Sequence, residues 1–325
     1  MPARTTRIYP ADSIWTRRSW LAATLLGVGR LLPRPSAHGA DDSSDAAAEV
    51  QAQAKKAGLG PFRSSITEHY LGIGDAPDDF RKEALRRCGA LAGTYQEHFQ
   101  DKGFAVTFPR RRLTVVTLKD QPTYAAFLGE EPGGDVGGHY DLDTNQLVIF
   151  DFRPGKKLPA GAPLERINSF TLMHEATHQL TFNTGLLDRQ GDVPVAVSEG
   201  LAMYAELWRP DGRSILGAVH RPRLQEIVKR ANEPEPWIPL GQLLTNDTLF
   251  ERAATEQLAY AEAWVLVHYL LKTTGALPKF RAYLDAIRPR PTASERLADA
   301  TTHLGNIDAL DLALRKHAAR LNQGR

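Results

Sequence analysis

The hydrophobic positions of this chain change their period partway along, and the change divides it into two halves. From Phe62 onward, short apolar runs alternate with stretches of helical spacing. Ser64 to Tyr70 reads as a strand. Pro77-Asp78-Asp79 then opens a helix with acidic residues in its first turn, where the macrodipole favours them. Phe80, Leu91, Tyr95 and Phe99 keep the helical spacing, and Gly103 marks where that helix should end. The β-branched run Leu113-Thr114-Val115-Val116-Thr117-Leu118 is a strand, and a short helix follows through Tyr124 to Leu128. The glycine-rich stretch Gly133 to Tyr140, the turn residues Asp141 to Asn145 and the apolar run Leu147 to Phe152 suggest a hairpin.

Beyond Gly155 the pattern is helical. Pro163 opens a stretch whose apolar side is Leu164, Ile167, Phe170, Leu172 and Met173, and Gly185 stands where a C′ glycine would end it. Further helices are expected from Val195 to Trp208, around Arg223 to Arg230, from Tyr260 to Lys272, from Pro278 to Ile287, and in a C-terminal segment to Leu321. The fold class is therefore α+β: a mixed front half over 61–160 and a mainly helical half over 161–325, forming one unit and not two independent domains.

Composition alters this picture mainly at the start of the chain. With 42% hydrophobic and 24% charged residues the protein can bury a core. In residues 1–40, however, Thr16-Arg17-Arg18-Ser19-Trp20 leads into the apolar run Leu21 to Leu32, and Ala37-His38-Gly39-Ala40 follows. This reads as a cleavable export signal of twin-arginine type, and it places the mature protein in the periplasm or outside the cell. The apolar run is interrupted by Arg30 and falls short of the roughly twenty residues that span a bilayer, so no stable membrane span is expected. Residues 41–60 are small, polar and alanine-rich and read as a flexible linker, with a short helix there as the alternative. The first 40 residues hold six of the 40 basic residues and one of the 38 acidic ones, so the remainder is slightly acidic and carries no footprint of a nucleic-acid binder. Arg110-Arg111-Arg112 reads as a solvated cluster before a strand. The single cysteine, Cys88, cannot form an intramolecular disulfide and falls at a buried helical position.

The chemistry concentrates in His174-Glu175-Ala176-Thr177-His178. On a helix, positions i and i+4 lie one above the other, so both imidazoles can reach one ion, with Glu175 beside them as general base. A catalytic zinc takes three protein ligands and keeps an open position, so a third donor is needed. Glu199 is the choice: it lies at the start of the next helix, in Val197-Ser198-Glu199-Gly200-Leu201-Ala202-Met203-Tyr204-Ala205-Glu206. Glu206, one heptad on, shares roughly the same face and suits a hydrogen bond to a ligand histidine. Asp192 and His220 are weaker candidates for the ion. Thr181 and Thr184 stand where the extended metzincin pattern needs glycine and histidine, which excludes that subclass. A calcium loop at Asp141, Asp143 and Asn145 fails because Gln146 and Phe152 replace the required glycine and glutamate. The glycine-rich stretch lacks the strand-then-helix context of a dinucleotide loop.

The runs HEATH and SEGLAMYAE, followed by Tyr260-Ala261-Glu262-Ala263-Trp264 and His268-Tyr269-Leu270, resemble the peptidase-MA-like gluzincins, most nearly a bacterial group of unknown function among them. The resemblance extends from about His69-Tyr70 through Gly138-His139-Tyr140-Asp141 to the region of Tyr283. It implies a zincin-like fold in which His174, His178 and Glu199 hold Zn2+, Glu175 is the catalytic glutamate, and Tyr260 matches a tyrosine that steadies the oxyanion. The aromatic and aliphatic alternation around Tyr260 suits a helix-core residue equally well. It further implies that the stretch Gly137 to Tyr140 aligns an extended peptide or protein substrate. The expected activity is metallopeptidase action, in which Glu175 assists attack of a water activated by zinc. The rivals are a noncatalytic envelope module that keeps the metal-braced fold, and an amide hydrolase acting on cell-wall peptides.

Overall fold

The computed structural model describes residues 41–129, 137–152, 169–230, 233 and 236–324. The expected signal at 1–40, Gly133 to Val136, and the helix-opening residues Pro163, Leu164 and Ile167 lie outside the described residues.

The described chain begins with helix α1 (Asp41–Lys56), so the tether expected over 41–60 is corrected to a packed element. Val50 and Ala54, one turn apart, are buried against Ile73, Val116 and Val148, and this apolar pair outweighs the polar composition around it. Gln51 fastens the helix: its amide donates to Phe62 O at 2.7 Å, and its carbonyl accepts from Phe62 N at 3.1 Å.

Strands β1 (Arg63–Ile66) and β2 (Tyr70–Gly74) occupy the region read as one strand. Thr67 breaks that run, because its hydroxyl takes the Tyr70 N–H at 3.1 Å and turns the chain into an antiparallel hairpin. Helix α2 (Asp78–Asp101), strand β3 (Leu113–Leu118), helix α3 (Gln121–Leu128) and strands β4 (Gly138–Asp141) and β5 (Gln146–Phe150) follow the expected order. Among the described residues the strands form one sheet, ordered β1-β2-β3-β5-β4. The three central strands are parallel, and the two edges pair antiparallel to them.

Alternation along the strands sorts the two faces. Val116, Leu118, Val148 and Phe150 face the layer of α1 and α3, whereas Leu113, Val115, Leu147 and Ile149 face the main core shared with α2. Every residue of β3 is buried, as a strand covered by helices on both sides must be.

The rest is helical: α4 (Ser169–Asn183), α5 (Val195–Ala205), α6 (Arg221–Lys229), α7 (Leu240–Thr245), α8 (Glu256–Lys272), α9 (Leu277–Ile287), α10 (Arg296–Leu304) and α11 (Ile307–Gln323). Together with the sheet this is the expected α+β class. Gly185 has φ +88° just after α4, the left-handed conformation its composition suggested. Helix α8 is buried on all sides from Leu258 to His268, as a helix apolar all round should be. Short α7 lay below the reach of periodicity.

Helices α5 and α8 touch at Gly200, where a Cβ would fall 2.4 Å from Ala263 O and 2.5 Å from Val267 Cγ2. A buried knot fixes the start of α5. Arg296 reaches Asp192 at 2.6 and 2.7 Å and Asp247 at 3.0 Å, while Asp247 accepts the Val195 N–H at 3.1 Å. Among the described residues no helix is long and apolar enough to cross a membrane.

Two consequences can be measured. Gly200→Ala forces α5 away from α8, and the overpacking should cost about 1–3 kcal/mol in urea unfolding; unchanged stability would mean the helices do not meet there. The second concerns pH. Burial pushes His98, His139 and His268 each down to about 4. The unfolded chain takes up these protons near pH 6.5 while the fold refuses them, so this contribution to stability is complete above about 6.5 and is lost as pH falls toward 4. In the metal-free protein, His139→Phe should therefore lose less stability than the wild type between pH 6.5 and 4; parallel losses would remove His139 from the account.

Candidate metal centre

Helix α4 carries His174 and His178 on one face, a single turn apart. Polar contacts further along the helix fasten it to the sheet and to α2. The amide of Gln179, next to His178 in the chain, donates to Thr114 O on β3 at 3.0 Å and is 3.4 Å from Asn145 O, while Tyr95 meets Thr181 at 3.2 Å. Asn183, Asn145 and Tyr140 close a further network, with Tyr140 donating its hydroxyl proton to Asn145 Oδ1 at 2.7 Å. Rotation of α4 about its axis would break all of these, so the direction of the imidazoles is set by the sheet and α2.

Glu199 arrives from α5, which packs across α4. His174 Nε2 lies 3.1 Å from Glu199 Oε2 and 3.1 Å from His178 Nε2, and His178 Nε2 lies 3.5 Å from the same carboxylate oxygen. A tetrahedral ion with bonds of about 2.0–2.1 Å sets its ligands roughly 3.3–3.4 Å apart, so these three edges outline one face of such a polyhedron. His174, His178 and Glu199 thus form a group able to hold a metal ion.

The surrounding charges suit a cation. Glu206, at the end of α5, takes His174 Nδ1 at 2.7 Å. Burial alone would lower the His174 pKa, but its hydrogen bonds to Glu199 and Glu206 and the Glu175 charge outweigh that and hold it well above its ordinary value. Burial opposes the Glu199 charge as well, yet the His178 charge and the hydrogen bonds from His174 and His178 keep its carboxyl well below the usual range. The pocket therefore stabilises positive charge at the point where the three ligand atoms meet. In a neutral His174 whose Nδ1–H donates to Glu206, Nε2 bears a lone pair aimed at that point.

Glu175 points the other way round the helix, to the edge strand. Its Oε2 accepts the Tyr140 N–H at 2.7 Å, while Oε1 lies 4.0 Å from His174 Nε2. Burial raises its pKa, offset in part by the His174 and His178 charges and the Tyr140 N–H. A carboxylate so placed is ready to take up a proton.

Of the weaker candidates, Asp192 belongs to the Arg296 knot, so the buried guanidinium claims both of its oxygens. His220 is corrected from ligand to neighbour: its Nε2 meets Glu206 Oε2 at 2.7 Å. Arg223, whose Nη2 is 3.6 Å from Glu206 Oε1, went unseen in the sequence because a lone arginine in an amphipathic helix looks solvated. Its guanidinium also lies 5.5 Å from the centre of the Tyr260 ring. Tyr260 is buried on α8, edge-on to Phe250 at 5.2 Å. The Tyr140 N–H is a backbone donor and had no sequence signal at all.

Fold and site together define an α+β protein with a buried His-His-Glu group. Residues 168–291 match a family model described as a protein of unknown function, DUF1570, and this segment contains all three ligands together with Glu175, Glu206, His220, Arg223 and Tyr260. No curated protein matches the chain.

If the three side chains act as one site, adding Zn2+ should raise the thermal midpoint of the wild type, by about 2.7 kcal/mol of stability at a hundredfold excess over Kd. His178→Ala and Glu199→Ala should show no such gain. A midpoint indifferent to Zn2+ in the wild type would dismiss the site.

Proposed function

We propose that the protein is a zinc-dependent metallohydrolase of gluzincin type, an exported metallopeptidase with a zincin-like fold. The observation that carries this reading is the position of Glu175: a buried carboxylate beside the ligand triangle, aimed by the Tyr140 N–H, has no part in a purely structural metal site. A second observation favours catalysis over the rival of a noncatalytic module. Among the described residues the group holds three ligands, which leaves a fourth position for water and substrate.

A divalent ion held by His174, His178 and Glu199 supplies Lewis acidity and makes water a nucleophile near neutral pH. The chain's own residues do the rest. With Oε2 fixed by Tyr140, Glu175 offers Oε1 to the proton of the attacking water, then passes that proton to the leaving amine nitrogen. His174 and His178 keep their Nε2 lone pairs directed inward. Tyr260 donates to the developing oxyanion, a role supported by its place beside the Arg223 and Glu206 cluster. Edge strand β4 borders α4 and aligns an extended peptide by backbone pairing. The substrate class is a peptide or protein; the slightly acidic remainder of the chain speaks against nucleic acid. Export rests on the twin-arginine run at Arg17-Arg18.

The test is a peptide-library digest paired with metal analysis. Glu175→Gln should keep wild-type zinc content and lose about 10²–10⁴ in turnover, the usual worth of a general base. Tyr260→Phe should lower kcat about a hundredfold with the metal retained; full activity in that variant would make Tyr260 a core aromatic, and full activity in Glu175→Gln would remove the mechanism.

A further inference from the structure

Helix α6 begins at an unusual cap. The preferred N-cap residues are Ser, Thr, Asp and Asn, but here His220 holds the position, and its Nδ1 accepts the Arg223 N–H at 3.4 Å. A ring nitrogen that accepts carries no proton, so the neutral imidazole bears its hydrogen on Nε2. That Nε2 lies 2.7 Å from Glu206 Oε2. The other oxygen of Glu206 lies 2.7 Å from His174 Nδ1. A carboxylate only accepts, so both rings donate to it, and His174 is left with its lone pair on Nε2. The ring of His220 cannot swing away: it is 3% exposed and packed edge-on against Trp264 at 6.0 Å.

From this chain of contacts we infer that His220 is a positioning residue of the metal centre. The start of α6 sets the tautomer of His220, His220 aims Glu206, and Glu206 fixes the tautomer of the ligand His174. An aspartate or serine cap would serve α6 as well, but neither offers a second atom that donates to Glu206. The inference rests on the metal-centre reading above and extends it to a residue that binds no metal.

The two nitrogens of His220 can be tested separately in the purified full chain. His220→Asn keeps a side-chain acceptor for the Arg223 N–H but cannot reach Glu206. His220→Gln carries an amide donor near the Nε2 position but loses the cap. Zinc affinity, measured by competition with a chromophoric chelator, should fall about tenfold in His220→Asn, the lower end of what outer partners of metal ligands are worth. The metal-free thermal midpoint of that variant should fall, because buried Glu206 loses a hydrogen bond, and the Co2+ absorption bands of the loaded form should shift. His220→Gln should hold zinc within about threefold of wild type, with a midpoint lower by about 2–4 °C. Wild-type zinc affinity in His220→Asn overturns the inference. So does a tenfold loss in His220→Gln, which decides the donor role whether or not the asparagine variant folds. A wild-type chain that binds neither Zn2+ nor Co2+ removes the metal centre itself, an outcome distinct from both.

Discussion

Two imidazole nitrogens and a carboxylate oxygen meet within 3.1–3.5 Å of one another in a largely buried space, and that convergence is the constraint on which the rest of the structure depends. Without positive charge at the centre such an arrangement repels itself. Buried carboxylates cost several kcal/mol each in lost hydration unless charge or hydrogen bonds compensate. Here Glu175, Glu199 and Glu206 are all buried and each lies within 4.0 Å of a ring nitrogen of His174. A cation between the three groups would offset the repulsion, and the surrounding elements hold the side chains in place against it.

The two halves of the fold divide this work. The sheet fixes α4 from one side: Gln179 reaches β3, Asn183 reaches the β4–β5 turn, and the Tyr140 N–H orients Glu175. Of these anchor points, Thr114 lies on central β3, which is covered on both faces, while Asn145 lies in the β4–β5 turn and Tyr140 on edge strand β4. The helical half delivers Glu199 and Glu206 on α5. That helix is set against α8 at Gly200, where only hydrogen fits between the backbones, and it is pinned at its start by Asp247 within the Arg296 knot. His174, Glu175 and His178 thus come from one wall and Glu199 from the other, and small movements of either wall alter their separation. The polar cluster around Glu206 then extends the site outward through His220 and Arg223 to α6.

Much of this was legible along the chain. The HEATH spacing places two rings on one helical face whatever the tertiary context, and the heptad from Glu199 to Glu206 places two carboxylates on one face of the next helix. Helix α2, strand β3 and the β4–β5 hairpin were readable because their residues are chosen for faces of constant period. Reading failed where contact decides. The alanine-rich stretch over 41–56 has too few apolar residues to announce a helix, and it folds because Val50 and Ala54 find a sheet face to cover. Thr67 splits an apparent strand through a side-chain hydrogen bond that periodicity does not register.

Local sequence therefore determined which residues could form the metal site, the glutamate beside them and the α+β division, because those follow from spacing within single elements. Tertiary structure decided which distant groups complete the centre. It directed Asp192 to Arg296 and His220 to Glu206, and it brought in a backbone N–H from β4. Pairing between residues dozens of positions apart depends on how helices cross and which charges are neutralised on burial. Neither is written into the period of any one segment.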